Sequence, residues 1–428
     1  MVIMAIGGSW SLAHANMAAA NGRKLFALRI ALALLLVLGV VSIFRSAPSA
    51  LDPPFGSGDF GMTVKAAEDL QHENPYNRYL KKGPGPWSAE TPDANGNPMG
   101  LYPVQVPSVL MLLWPFTPLG WPAAKLTWFV LNLIFSVGCG LLLARRLSHP
   151  ALPEVGALLA GILLVSLPWR IAIANGQHLI AGMFFFLLSA ELADGGRKNW
   201  AGAALAFSFI KYTATLFLLP YFVWKRQWRP IVVALGIHAA LTLGVAIWLD
   251  ESPISLVMQA AHAALSYQPD PGVYQLSDGF IDVFAVSRSL GLPLAIPFAA
   301  AVAGTTVSYW LAIRRRGSEA MFLSLLCFWA YVAMYHRAYD AVILLIPLAC
   351  ALKAVRFQPM PWVLVLAVIA CLWFLDRLVI QSTDWLVPGE HGRRSIYYAT
   401  TVSLYYATLF ALASRQVRAA YSDDETYE

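Results

Sequence analysis

The chain has 428 residues, of which 58% are hydrophobic and only 13% charged, and its mean hydropathy is +0.59. Soluble globular domains carry roughly twice that share of charge, so this composition excludes one. The net charge of +6 sits in short basic clusters beside apolar runs, which is the pattern of membrane orientation. It forms no groove-lining patch, and no nucleic-acid partner is expected.

Taken in chain order, residues 1–24 hold no basic run ahead of a short apolar core, so they read as a cytoplasmic segment and not a secretory leader; Met17 is an alternative start to Met1. Arg23 and Lys24 place the start of the first apolar span, 25–44, inside. A polar stretch rich in Pro, Gly and Asn, 45–105, then forms a first external loop. The run 106–119 is short and carries Pro107, Pro115 and Pro118, which predicts an element lying at or dipping into the outer leaflet.

The spans that follow can be oriented by their basic ends. One, 123–144, returns to Arg145 and Arg146; the next, 155–173, runs out to Asn175-Gly176-Gln177-His178; a third returns to Arg197 and Lys198. The segment 200–224 has basic residues at both ends and Lys211 at its middle, which predicts two half-helices. A further span leads to a second external loop, 250–292, and another returns to Arg314-Arg315-Arg316. Four more crossings follow, out to His336-Arg337, back to Lys353, out again over 362–380 and back to Arg415, leaving 415–428 as a cytoplasmic tail. The expected fold is an all-α polytopic membrane protein, a single domain over 25–414, with about ten full crossings and two short or re-entrant elements.

Cys139, Cys327, Cys350 and Cys371 lie inside apolar runs without CxxC spacing, so they read as core residues and not as disulfides or metal ligands. Gly56, Gly58 and Gly61 match GxGxxG, but behind a membrane span where no dinucleotide fold has a place. The first external loop has no DxD, and neither HExxH nor GxSxG occurs. Asp278 and Asp282 have cation-binding spacing, but a solvated loop face explains them better. No metal and no cofactor is expected.

Three polar groups, remote in sequence, fall on the external side. The first is Asp59, followed by Lys65, Glu68 and Asp69 on what reads as an interfacial amphipathic helix; Asp59 is either a helix cap or a general base. The second is Asn175, Gln177 and His178, either polar capping or ligands for a sugar or lipid phosphate. The third is Tyr335, His336, Arg337, Tyr339 and Asp340, where Arg337 either pairs with Asp340 or joins His336 in binding phosphate. Lys211 is either a snorkelling side chain or a buried ammonium facing a polar cavity. Trp87, Trp114, Tyr274 and Trp385 fit interfacial anchoring.

These segments together resemble glycosyltransferase family 87, membrane enzymes of the GT-C fold. The resemblance rests on Gly58-Asp59-Phe60, Ala66-Ala67, Asn74-Pro75-Tyr76, Tyr102-Pro103, Pro107, Pro118-Leu119, Asn175-Gly176-Gln177, Lys211, Leu219-Pro220, Lys225 to Arg229, and His336 to Asp340 ahead of Ile343 to Pro347. Two departures are an absent second proline after Tyr102-Pro103 and an insertion-like stretch, 82–97. The resemblance implies a hexose donor on a polyprenyl phosphate, mannose first among candidates, and a lipid- or glycan-type acceptor outside the cell membrane. It also implies inversion without a metal, and Asp59 as general base. Lys211, His336, Arg337, Gln177 and His178 would bind the donor, with Tyr102, Tyr339 and Asp340 beside them. The rival reading is a transporter or lipid flippase, which predicts inverted repeats that this sequence does not show.

Overall fold

A backbone in an apolar medium must satisfy its own amides, and this one does so by helix formation. The computed structural model describes residues 30, 32–52, 58–76, 105–146, 152–266, 282–315, 317–333, 338–354, 359–375 and 390–421, and every regular element among them is helical. The first is α1 (Leu32–Leu51). Next come α2 (Gly58–Asp69), α3 (Pro107–Leu113) with a 3-10 extension Trp114–Leu119, α4 (Trp121–Arg146), α5 (Leu152–Val165), α6 (Leu167–Ala174) and α7 (Leu179–Asp194). Helix α8 (Lys198–Ser208) passes through a 3-10 turn, Phe209–Lys211, into α9 (Tyr212–Leu218) and then α10 (Pro220–Trp224). The remainder is α11 (Trp228–Trp248), α12 (Pro253–Ser266), α13 (Val283–Ser289), α14 (Ala295–Arg314), α15 (Glu319–Ala333), a 3-10 segment Ala338–Leu344, α16 (Leu345–Ala354), α17 (Pro359–Ala370) with a π-turn Cys371–Leu375, and α18 (Glu390–Tyr421).

Five of these are long and apolar enough to cross a membrane: α1, α4, the continuous pair Lys198–Leu218, α11 and α14. A sixth would be α5 and α6 taken together, bent by 67°. The sequence pattern predicts about ten, and the difference lies in how the chain breaks. Apolar runs at Pro107–Leu119, Glu319–Ala333 and Met360–Leu375 form shorter helices, ended or tightened by 3-10 and π turns that a hydropathy window does not register. The bend between α5 and α6 has a local cause. Ser166 leaves the helical region and accepts the Trp169 amide while a proline opens the new helix, so one run becomes two helices.

On α11 only 17% of the apolar window is buried, and on α14 only 22%. Val232, Ile247 and Val302 are among the side chains turned outward. Exposed to water, such faces would cost roughly 25 cal/mol per Å² of apolar surface; in lipid they cost nothing. The protein is a membrane protein by this criterion.

One end of the bundle is tied by charge. Arg146 at the end of α4 contacts Asp194 at 3.2 Å, Glu319 at 2.8 Å and the Tyr221 hydroxyl, while Lys225 reaches Glu319 at 3.0 Å. Helices α4 and α5 are in close contact because both carry glycine where they meet: a Cβ on Gly140 would collide with the Gly156 carbonyl oxygen. Gly140→Val should therefore lower the thermal midpoint in detergent by the equivalent of about 1–3 kcal/mol. An unshifted midpoint would show that the helices do not meet there.

All four cysteines are free and three of them are buried, in line with the reading of core residues. Asp282 is buried and caps α13, accepting the amides of Phe284 and Ala285, and Asp278 lies outside the described residues. No group of three or more His, Cys, Asp or Glu side chains with metal-binding geometry occurs among the described residues.

Candidate active site

The site forms where the start of α2 meets the end of α6. Helix α6 finishes with Gly176 at φ 64°, a left-handed conformation that glycine adopts without a Cβ penalty. The Gly176 and Gln177 amides turn back to the carbonyls of Ile173 and Ala172, at 3.1 and 2.8 Å. Two carbonyls are left pointing outward, and both are used: Asn175 accepts the Asp59 amide at 3.0 Å, and Gly176 accepts the Trp128 indole at 3.1 Å. Asp59 is thus fixed to the α6 terminus through its backbone while its carboxylate remains half-buried.

Aromatic packing holds α2 in place. Phe60 is fully buried, stacks on Trp128 with ring centroids 4.7 Å apart and meets Phe116 edge-on at 5.2 Å. Lys125 donates to the Asp52 carbonyl at 2.6 Å, closing the C-terminal end of α1 just before the segment that leads to Asp59. The helix expected after Asp59 forms as α2, and one face of it, including Val64, Ala66 and Ala67, packs into the protein. Lys65, Glu68 and Asp69 form a local ion-paired patch at 3.1 and 3.3 Å. Partial burial alone would lower the Lys65 ammonium's pKa, but Asp69 and Glu68 outweigh it and hold the group above its usual range.

Lys211 lies at the 3-10 turn between α8 and α9, where the half-helix expectation placed a break. Its ammonium donates to Gln177 Oε1 at 3.2 Å and pairs with Asp340 Oδ1 at 3.3 Å; the Asp340 side chain is only 2% exposed. Of the two readings of Lys211, the geometry favours the buried ammonium over snorkelling, and Asp340 is paired with Lys211, 129 positions away; Arg337 lies outside the described residues. Tyr339, the preceding residue, brings its hydroxyl to 3.5 Å from Asp59 Oδ2, a long contact of the kind that tightens when substrate binds. Gln177 and His178 are buried, and His178 Nε2 has no hydrogen-bond partner among the described residues. A buried, unpaired ring nitrogen is uncommon enough to mark a ligand position.

Asp59, Gln177, His178, Lys211, Tyr339 and Asp340 therefore come together from four distant stretches of chain. Tyr102, His336 and Arg337 lie outside the described residues. Missing from the sequence reading was the aromatic floor of Phe60, Phe116 and Trp128; its only signal was Phe60 directly following Asp59.

A close approach also sets where Lys211 sits. A Cβ on Gly182 of α7 would lie 3.1 Å from the Ser208 carbonyl oxygen and 3.3 Å from Lys211 Cβ. Gly182→Ala should displace Lys211 by a few tenths of an ångström and slow turnover on the order of tenfold. Gly236→Ala, where the added atom meets open space, is the control. Equal turnover in the two variants would show that Lys211's position is unimportant.

The fold and site define an integral-membrane protein with a polar, acid-and-amine centre at one end of its helices. The model of glycosyltransferase family 87 matches residues 101–335, over half of the chain. The protein belongs to glycosyltransferase family 87, and its class of activity is glycosyl transfer. No curated protein and no solved structure matches it.

Proposed function

We propose that the protein transfers a hexose, mannose first among candidates, from a polyprenyl-phosphate donor to a lipid- or glycan-type acceptor on the extracytoplasmic side of the cell membrane. The observation that carries this reading is a carboxylate, Asp59, fixed by its backbone beside a buried amine, amide and imidazole in a family 87 chain. In the reaction Asp59 takes the proton of the acceptor hydroxyl as that oxygen bonds to the anomeric carbon. The anomeric carbon–oxygen bond to phosphate breaks, and polyprenyl phosphate leaves with the electron pair. A single displacement inverts the centre. Lys211, Gln177 and His178, with His336 and Arg337, hold the donor and stabilise the charge that develops on the phosphate. Asp340 orients Lys211, while Tyr339 and Tyr102 border the acceptor. These groups supply the needed positive charge, so the reaction requires neither metal nor cofactor.

Sidedness follows from α4. Trp128 packs against the site and Arg146 against the ionic cluster, 18 residues apart, which is about 27 Å of helix and close to the thickness of a bilayer's apolar core. The basic clusters Arg145-Arg146, Lys225-Arg226 and Arg314-Arg315 favour the cytoplasm at their end, which leaves the site outside. The same rule keeps 1–24 and 415–428 inside, and the loops 45–105 and 250–292 outside.

The test is transfer by purified protein from radiolabelled polyprenyl-phosphate hexoses, offered with a panel of envelope lipids and glycans. Lipid-linked mannose or another hexose should label at least one acceptor. Transfer from a nucleotide sugar, and from no lipid-linked one, would overturn the reading.

A further inference from the structure

Between Arg229 and Asp250 the one ionisable side chain is His238. It lies at the middle of α11, about 15 Å of helix from either end. Only 17% of that span's apolar window is buried, and an ionisable group at such depth is costly unless its polar atoms find partners. Both ring nitrogens of His238 do. Nε2 stands 2.9 Å from the Ala206 carbonyl, and Nδ1 stands 2.8 Å from the Ser108 hydroxyl. A carbonyl can only accept, so Nε2 carries the proton, and Nδ1 of the neutral ring accepts from Ser108. Phe209 packs on the ring, with centroids 5.1 Å apart.

These two partners belong to the two halves of the site. The Ala206 carbonyl takes the Phe209 amide three positions on, which tightens the end of α8 into the 3-10 turn that carries Lys211. Ser108 is buried in the first turn of α3. Helix α3 packs on α2, and Phe116 in its 3-10 extension meets Phe60, the neighbour of Asp59. We propose that His238 is a positioning residue, a neutral clamp that sets Asp59 against the Lys211 turn. The role rests on the site assignment above, in which Asp59 is the base and Lys211 holds the donor. A hydrocarbon side chain would suit the lipid around α11 better. It could not join α8 to α3 through hydrogen bonds of fixed length and direction. Spacing matters at this scale, because a misplacement of about 1 Å can slow a reaction about a hundredfold.

The experiment measures transfer from radiolabelled polyprenyl-phosphate hexoses by the full-length protein in detergent, with rates normalised to the folded fraction. His238→Phe keeps an aromatic ring against Phe209 and removes both hydrogen bonds, whereas Ser108→Ala removes the α3 arm alone. Each should lower kcat about tenfold while KM for the donor stays within about twofold. Combined, they should be no slower than His238→Phe, because the clamp is already open in that variant. His238→Gln, whose amide can donate to Ala206 and accept from Ser108, should recover most of the loss. An unchanged kcat in Ser108→Ala, multiplied losses in the double variant, or a Gln variant as slow as the Phe variant would each overturn the role. If any of these appears while Asp59→Asn abolishes transfer, His238 is dismissed and the site assignment stands. Wild-type turnover in Asp59→Asn, or no transfer from any lipid-linked hexose by the wild type, would remove the site assignment and the role of His238 with it.

Discussion

Asp59→Asn should reduce sugar transfer by about 10²–10⁴-fold in kcat, the range expected when a general base is removed. The substitution is nearly isosteric, so the structural and chemical roles separate. The Asp59 amide still bonds the Asn175 carbonyl, and Phe60 still stacks on Trp128, because neither contact uses the carboxylate. Thermal unfolding in detergent should therefore stay close to wild type. On the proposed reading binding of the donor should also survive, since that reading gives it to Lys211 and Gln177, whose mutual hydrogen bond does not use Asp59. Wild-type turnover in the Asn variant would remove Asp59 from the reaction. A large drop in thermal midpoint would instead make its carboxylate a structural element of α2.

Some of this site was legible in the sequence because polar residues in a greasy chain are conspicuous. Lys211 inside an apolar run, the Asn175 to His178 turn and Asp59 just past the first span each stand out against hydrophobic neighbours. Which of them touch was not legible. Asp340 sits three positions after Arg337, and local spacing suggests that pair; the fold also brings Lys211 to it, from 129 positions away. Partner choice of this kind is decided by helix packing, which leaves no local trace. Trp128 was invisible for a related reason: an aromatic within a span reads the same whether it faces lipid or carries Phe60. Breaks inside apolar runs, as at Ser166, were not legible because hydropathy averages over a bend. Nor was the cap at Asp282, whose side chain accepts the first amides of α13.

Lys211→Met should be the most destabilising substitution at the site. It would take from the Asp340 carboxylate, 2% exposed, the ammonium 3.3 Å away, and breaking one half of a buried pair costs about 3–5 kcal/mol. By contrast, the pair from Lys65 to Glu68, with side chains 28% and 48% exposed, should contribute under about 1 kcal/mol. Asp340→Leu alone should destabilise in the same way by stranding the ammonium. The double variant, Lys211→Met with Asp340→Leu, removes both charges, and apolar replacement of a whole buried pair is often neutral or better, so most of the stability should return. A double-mutant cycle on thermal or denaturant unfolding should then show a coupling of about 2–3 kcal/mol. Activity should not return with the fold, because the double variant also lacks the hydrogen-bond donor to Gln177 and the ammonium that the proposed function assigns to the lipid donor. Additive destabilisation would show that the two side chains are not a pair. A stable double variant that transfers sugar at the wild-type rate would confine Lys211 and Asp340 to holding the 3-10 turn against α7, with no part in the chemistry.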